Sequence, residues 1–177
     1  MTKLLFVCGS LRAQSSARGT QDALIARLGA RATCATTDIG RLPHYNADIT
    51  DNADVAAFMA QVAGADGVVF VTPEYNYSIP GVLKNAIDWA SRPGYASVFK
   101  DRPCFVITVS GGALGGVRAQ SALKIVLGAM LARVFPWQEV IVPQAPAKLK
   151  DGLLADEAIL DFADKGLTAF LAEIGSL

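Results

Sequence analysis

The chain alternates between short, uninterrupted apolar runs and longer stretches in which apolar residues recur every three or four positions. Lys3–Cys8 (KLLFVC), Val68–Val71 ending at Thr72, and Pro103–Ser110 (PCFVITVS) are too short for helices and rich in apolar residues, so they predict strands. Ala30–Ile39 is less apolar and predicts a second strand nearer a sheet edge; Val140–Val142 predicts a fifth. The helical period appears at Ala17, Thr20, Ala23, Leu24 and Leu28, and again between Asp51 and Ala63 at Val55, Phe58, Met59 and Val62. Pro80-Gly81 opens a third helix with Val82, Leu83, Ala86, Ile87 and Ala90 on one face. A fourth carries Ala122, Leu123, Val126, Leu127 and Met130, with Arg118 and Gln120 at its start, and Pro136 breaks that pattern. Pro143–Gly152 reads as a connector, and Asp156–Ile174 is the last helix, burying Ile159, Phe162, Ala163, Leu167 and Phe170.

Five strands alternating with five helices predict an α/β fold with a parallel sheet wound on both sides. No repeat or linker divides the chain, so residues 1–177 read as one domain. In such folds ligands bind at loops beyond the carboxyl ends of the strands.

Composition narrows the class. With 52% hydrophobic and 18% charged residues, the chain is well packed and not disordered. Sixteen basic residues balance sixteen acidic ones, leaving no global field for nucleic acid or an anionic membrane. Small molecules and other subunits are the expected partners. Cys8, Cys34 and Cys104 are odd in number and lack CxxC spacing, which suits free thiols in a reducing compartment. No segment reads as a signal peptide or membrane span, so a soluble cytoplasmic protein is expected.

Three of the predicted strand-end loops carry chemistry. Gly9-Ser10-Leu11-Arg12-Ala13-Gln14-Ser15-Ser16 combines a glycine turn, hydroxyls, a cation and a helix start, an arrangement suited to a terminal phosphate. Ser15 or Ser16 as a plain helix cap and Arg12 as a surface charge is the simpler reading. The loop is neither GxxxxGK[ST] nor GxGxxG, and Gln14 stands where a CX5R phosphatase loop starting at Cys8 would need arginine. Glu74-Tyr75-Asn76-Tyr77-Ser78 follows the third strand with phenol rings, an amide and backbone N–H groups, a site for a flat, polar-edged ring. Gly111-Gly112-Ala113-Leu114-Gly115-Gly116 removes side chains from a surface, either for close backbone approach to a ligand or another chain, or for bare flexibility. The sole histidine, His44, lies in the loop Leu42–Asp48 and is given no catalytic role.

The strings GSLRAQSS and PEYNYSIPGVLKNAIDW resemble the NADPH-dependent FMN reductase family, in register from Leu4 to about Val134. The resemblance implies a flavodoxin-like, doubly wound five-stranded sheet of order 2-1-3-4-5, with FMN as cofactor and NADPH, or NADH, as donor. It implies that Ser10, Arg12, Ser15 and Ser16 take the phosphate. Pro73, Glu74, Tyr75 and Asn76 would border the ring's polar edge, largely through backbone groups, and Ser110 and Gly111 would approach from the fourth strand. Ala17 stands where the family pattern usually continues with asparagine. The flavin carries the hydride chemistry, so no catalytic side chain and no metal are expected; alternating use of one ring face predicts ping-pong kinetics, with quinone-like acceptors. Family members assemble as dimers or tetramers, which offers Arg118 either the 2′-phosphate of NADPH or an ion pair across a subunit boundary, with Trp89 and Tyr95 at that boundary or in the core. The competing functions are a flavin reductase releasing FMN as substrate, a flavodoxin-type electron carrier, and a regulatory flavin-binding subunit.

Overall fold

The computed structural model describes residues 1–176. The three apolar runs form β1 (Lys3–Cys8), β3 (Gly67–Pro73) and β4 (Pro103–Val109), and Thr33–Thr37 forms β2. The helices are α1 (Ser16–Leu28), α2 (Ala53–Gly64), α3 (Gly81–Ala90), α4 (Val117–Ala129) and α5 (Glu157–Gly175). All neighbouring strands of the main sheet run parallel, in the order β2-β1-β3-β4-β5, with β5 at Arg133–Val134. The expected order therefore holds.

Because β1, β3 and β4 are buried on both faces, successive residues feed opposite cores. Leu5, Val7, Val68, Phe70 and Cys104 pack with α2, α3 and α4 on one side; Leu4, Phe6, Val69, Val71 and Phe105 pack with α1 and α5 on the other. β2 is an edge strand with exposed positions, as its weaker pattern suggested. It is also shorter than the predicted Ala30–Ile39, since short 3₁₀ turns at Gly29–Arg31 and Ile39–Arg41 take its ends.

The fifth strand departs from expectation in two ways. β5 (Arg133–Val134) pairs with the start of β4, the chain then leaves the sheet, and β6 (Val140–Val142) rejoins the end of β4. Pro136 lies in the excursion and has no N–H to donate to a ladder. The fully buried Gln120 amide closes the gap, donating to Val106 O at 3.2 Å and Val140 O at 2.9 Å. The segment expected to be a plain connector, 143–152, instead holds a short 3₁₀ helix (Ala145–Lys148) and enters an antiparallel hairpin of β7 (Leu149–Lys150) and β8 (Leu153–Leu154).

Register brings the strand ends together. Cys8 lies beside Val71 and Pro73 beside Val109, so the loops after β1, β3 and β4 leave the sheet side by side. Gly9 N–H donates to Val71 O at 2.9 Å, and Ser110 N–H to Val142 O at 3.0 Å. Position 9 must be glycine for this approach: an added Cβ would lie 2.7 Å from the Thr72 Cβ.

Candidate active site

The loop after β1 is shaped by its own residues. Ser15 is the N-cap of α1, its hydroxyl oxygen accepting from Arg18 N–H at 3.1 Å, and its own N–H returns to Arg12 O at 3.2 Å. Ser10 Oγ accepts from Arg12 N–H at 3.4 Å. The simpler reading of Ser15 as a cap is thus correct, yet capping leaves the hydroxyl hydrogens free to donate and the first N–H groups of the helix pointing outward. Ser10 and Ser15 are buried and Arg12 is exposed, and all three line one pocket.

The loop after β3 turns back on itself. Tyr75 N–H donates to Ser78 O at 2.9 Å and Ser78 N–H to Tyr75 O at 3.0 Å, with Asn76 at φ 48° and Tyr77 at φ 69° between them. This is a two-residue turn requiring left-handed backbone twice, easy for asparagine but costing a tyrosine about 1–2 kcal/mol. Glu74, expected at the ring edge through its backbone, sends its N–H to Val109 O at 3.3 Å. Its carboxylate turns to α4, accepting from the N–H groups of Arg118 at 3.0 Å and Ala119 at 3.3 Å. Gly116 precedes that helix and has no side chain to cap it, so Glu74 does so from another loop.

A cleft of about 210 Å³ opens between these loops. Ser10, Arg12, Ser15, Ser16 and Ala17 line it from the first loop, Pro73 and Tyr75 from the second, and Ser110 and Gly111 from the third. Glu74 and Asn76 belong to the same loop as Tyr75 but stand outside the lining. Sequence reasoning missed Val109 and Pro146. Pro146 comes from the supposed connector, brought in by Gln144 N–H to Gly112 O at 3.0 Å and Ala145 N–H to Ser110 O at 2.9 Å. No residue pattern within that connector signals those bonds.

Within its own chain Arg118 pairs with Glu74 at 3.4 Å and lies over the Tyr77 ring, 4.1 Å from its centre. Trp89 is core, donating to Pro43 O at 2.8 Å, and Tyr95 is exposed. His44 is exposed. A larger groove of about 790 Å³, bordered by Tyr45, Met59, Trp89 and Arg92, contains none of the expected site residues. Cys8 is buried beneath the first loop, its thiol donating to Ser10 O at 3.6 Å, and burial pushes its pKa up. Cys34 and Cys104 are likewise raised by burial. Among the described residues no cluster of histidine, cysteine and carboxylates suits a metal ion, and no helix is long and apolar enough to cross a membrane.

A parallel doubly wound sheet, a capped helix start lined by serines and an arginine, and two further loops meeting it at the switch point define a flavodoxin-like nucleotide-binding protein. Residues 2–147 match the family described as NADPH-dependent FMN reductase, and the chain belongs to that family. It is similar to the 2-hydroxy-1,4-benzoquinone reductase of a Burkholderia species, 47% identical over 69% of this chain and 68% of that one. It is also similar to the quinone reductase of Escherichia coli (strain K12), 36% identical over 95% and 93%. Among solved structures, the flavoenzyme NAD(P)H:(acceptor) oxidoreductase FerB from Paracoccus denitrificans superposes with a TM-score of 0.89 at 32% identity, covering 99% of this chain and 98% of that one. The chain is an oxidoreductase that works with FMN and a nicotinamide donor, not a flavodoxin-type carrier.

Proposed function

We propose that the chain holds FMN in the cleft between the loops after β1, β3 and β4 and passes two electrons from NADPH to a quinone or a similar flat acceptor. The observation that carries this reading is the convergence of Ser10, Arg12, Ser15 and Ser16 with Pro73, Tyr75, Ser110 and Gly111 on one small cleft, although a hundred residues separate its first and last members.

In this reading the first loop takes the phosphate: the outward N–H groups of α1 and the hydroxyls of Ser10, Ser15 and Ser16 donate, and Arg12 supplies the counter-charge. Pro73, Tyr75 and the backbone of Glu74 and Asn76 border the ring end, and Ser110 and Gly111 face it from β4. FMN, when bound, supplies hydride acceptance and electron transfer, so no side-chain base is needed. Among the described residues the N–H groups of Asn76, Tyr77 and Gly111 find no acceptor within the chain, and they are the donors available to stabilise negative charge at the ring edge. The quinone assignment draws on the names of the relatives. Exposed Leu11, Tyr75, Tyr77 and Leu114 around the cleft support a homodimer or homotetramer, and three unpaired cysteines suit the cytoplasm.

The deciding experiment is the visible spectrum of the desalted protein, followed by anaerobic NADPH and then quinone. A yellow protein that NADPH bleaches and quinone recolours supports retained FMN. A second reading, FMN as a released substrate, is favoured by Ala17, which brings only a methyl group to the phosphate end. A colourless protein that oxidises NADPH only with added FMN would establish that instead. A protein that neither binds FMN nor oxidises NADPH would overturn both.

A further inference from the structure

The segment that follows β6 crosses from one wall of the cleft to another. At its start, Gln144 N–H donates to Gly112 O at 3.0 Å and Ala145 N–H to Ser110 O at 2.9 Å, which ties it to the glycine loop after β4. Gln144 is held there at φ 50°, a left-handed backbone that a glutamine seldom adopts unforced. At its far end the β7–β8 hairpin turns through Asp151 at φ 51° and Gly152 at φ 82° and lies against α1, where a Cβ on Gly19 would run into Gly152 O. Gly19 is one turn into the helix that Ser15 caps, its N–H donating to Ser15 O at 2.9 Å. Between the two ends, Lys148 bonds to Asp156, the cap of α5. The segment is therefore a strap fixed to two of the three walls of the cleft.

Pro146 sits on this strap. Its neighbour Ala145 is fully buried and serves the core, whereas Pro146 is exposed and lines the cleft. Its Cγ and Cδ both lie 4.0 Å from the position that a Cβ on Gly111 would take. A proline has a fixed φ and no side-chain rotamers to lose, so it offers a ligand a rigid apolar face at little ordering cost. The first loop faces the same cleft with the polar Ser10, Arg12, Ser15 and Ser16.

We propose that Pro146 is a binding residue for the flavin: it covers the stretch of FMN between the phosphate and the ring, and the strap that carries it slows release of the cofactor. This rests on the cleft assignment made above. The contact is apolar and independent of the phosphate charge, and it depends on both ties of the strap.

The test is an FMN titration by flavin fluorescence on protein stripped of flavin, with dissociation followed by stopped flow. Pro146→Ala removes Cγ and Cδ from the apolar face and should weaken FMN about fivefold to twentyfold, mostly through faster dissociation. The Tm of the flavin-free protein should stay where it is, because the ring is exposed and a merely structural role would move it. Gly19→Ala, which pushes the hairpin off α1, should loosen FMN through the other tie. Combined with Arg12→Ala, the loss from Pro146→Ala should multiply, since the two residues hold different parts of the ligand. Unchanged FMN affinity in Pro146→Ala or in Gly19→Ala, a lowered Tm in flavin-free Pro146→Ala, or losses that fail to multiply would each overturn the proposal. Arg12→Ala alone separates the two failures. If its FMN affinity is unchanged, the cleft assignment falls and this inference with it; if its affinity drops while Pro146→Ala is silent, only the inference falls.

Discussion

The serine–arginine loop after β1 and the tyrosine turn after β3 face the same cleft, yet they are held by different kinds of contact. In the first, once Gly9 has been fixed against β3, the bonds that shape the loop join residues a few positions apart: Ser10 with Arg12, Arg12 with Ser15, Ser15 with Arg18. In the second, the turn closes locally, but Glu74 and Tyr77 are held by Arg118, and Glu74 lies 44 residues from it. A site for a phosphate, whose charge and shape never change, is well served by a rigid local loop. The turn proposed to border the ring end is held instead by a neighbouring helix, and its geometry depends on how that helix is packed.

The comparison can be broken at either end. The largest effect is expected at Arg12→Ala, which should weaken FMN binding by one to two orders of magnitude, about 1.5–3 kcal/mol, in a flavin-fluorescence titration, with little change in thermal stability because the side chain is exposed. Gly9→Ala should cost about 1–3 kcal/mol in denaturant unfolding, since the new methyl group meets Thr72 where β1 and β3 approach. It should also loosen FMN by shifting the loop that follows. Glu74→Ala removes the carboxylate from two backbone N–H groups at the start of α4 and should cost about 1–2 kcal/mol, read as a lower Tm. If that variant were as stable as the parent, the ring-end turn would not depend on α4 and the contrast would collapse.

The smallest effect concerns the wall that carries Pro146. Asp156 caps α5 and is held below the usual carboxylate range, chiefly by its bond to Lys148 and further by the Ile159 N–H. A lowered folded value means that this stabilisation is present above the ordinary carboxylate range and is lost as pH falls through the lowered value. Asp156→Asn should therefore lower Tm slightly at neutral pH and flatten its decline below about pH 4, as measured by thermal melts across that range.

How far each part was legible follows from the range of its causes. β1, β3 and β4 stood out because a strand buried on both faces is a continuous apolar run, whatever lies beside it. The helices stood out because their apolar period belongs to the helix itself. The strand at Val140–Val142 was visible, but its partner piece at Arg133–Val134 was hidden by the excursion around Pro136. Gln120 looked like an ordinary polar residue at a helix start, and only the gap between β4 and β6 makes it a buried bridge. Pro146 sat in a stretch with no matching motif and reached the cleft through backbone bonds to the glycine loop. Arg118 was singled out, but its partners could not be named.

The residue order by itself determined the elements, their alternation, the loops that carry chemistry and, through the GSLRAQSS and PEYNYS strings, the family. These depend on local period and on residues adjacent along the chain. The tertiary structure decided which oxygen of Glu74 meets which N–H, that Arg118 lies over Tyr77, and that a proline from the segment before β7 lines the cleft. Such pairings are set by where packed helices and strands place side chains in space, and proximity of that kind leaves no periodic trace along the chain.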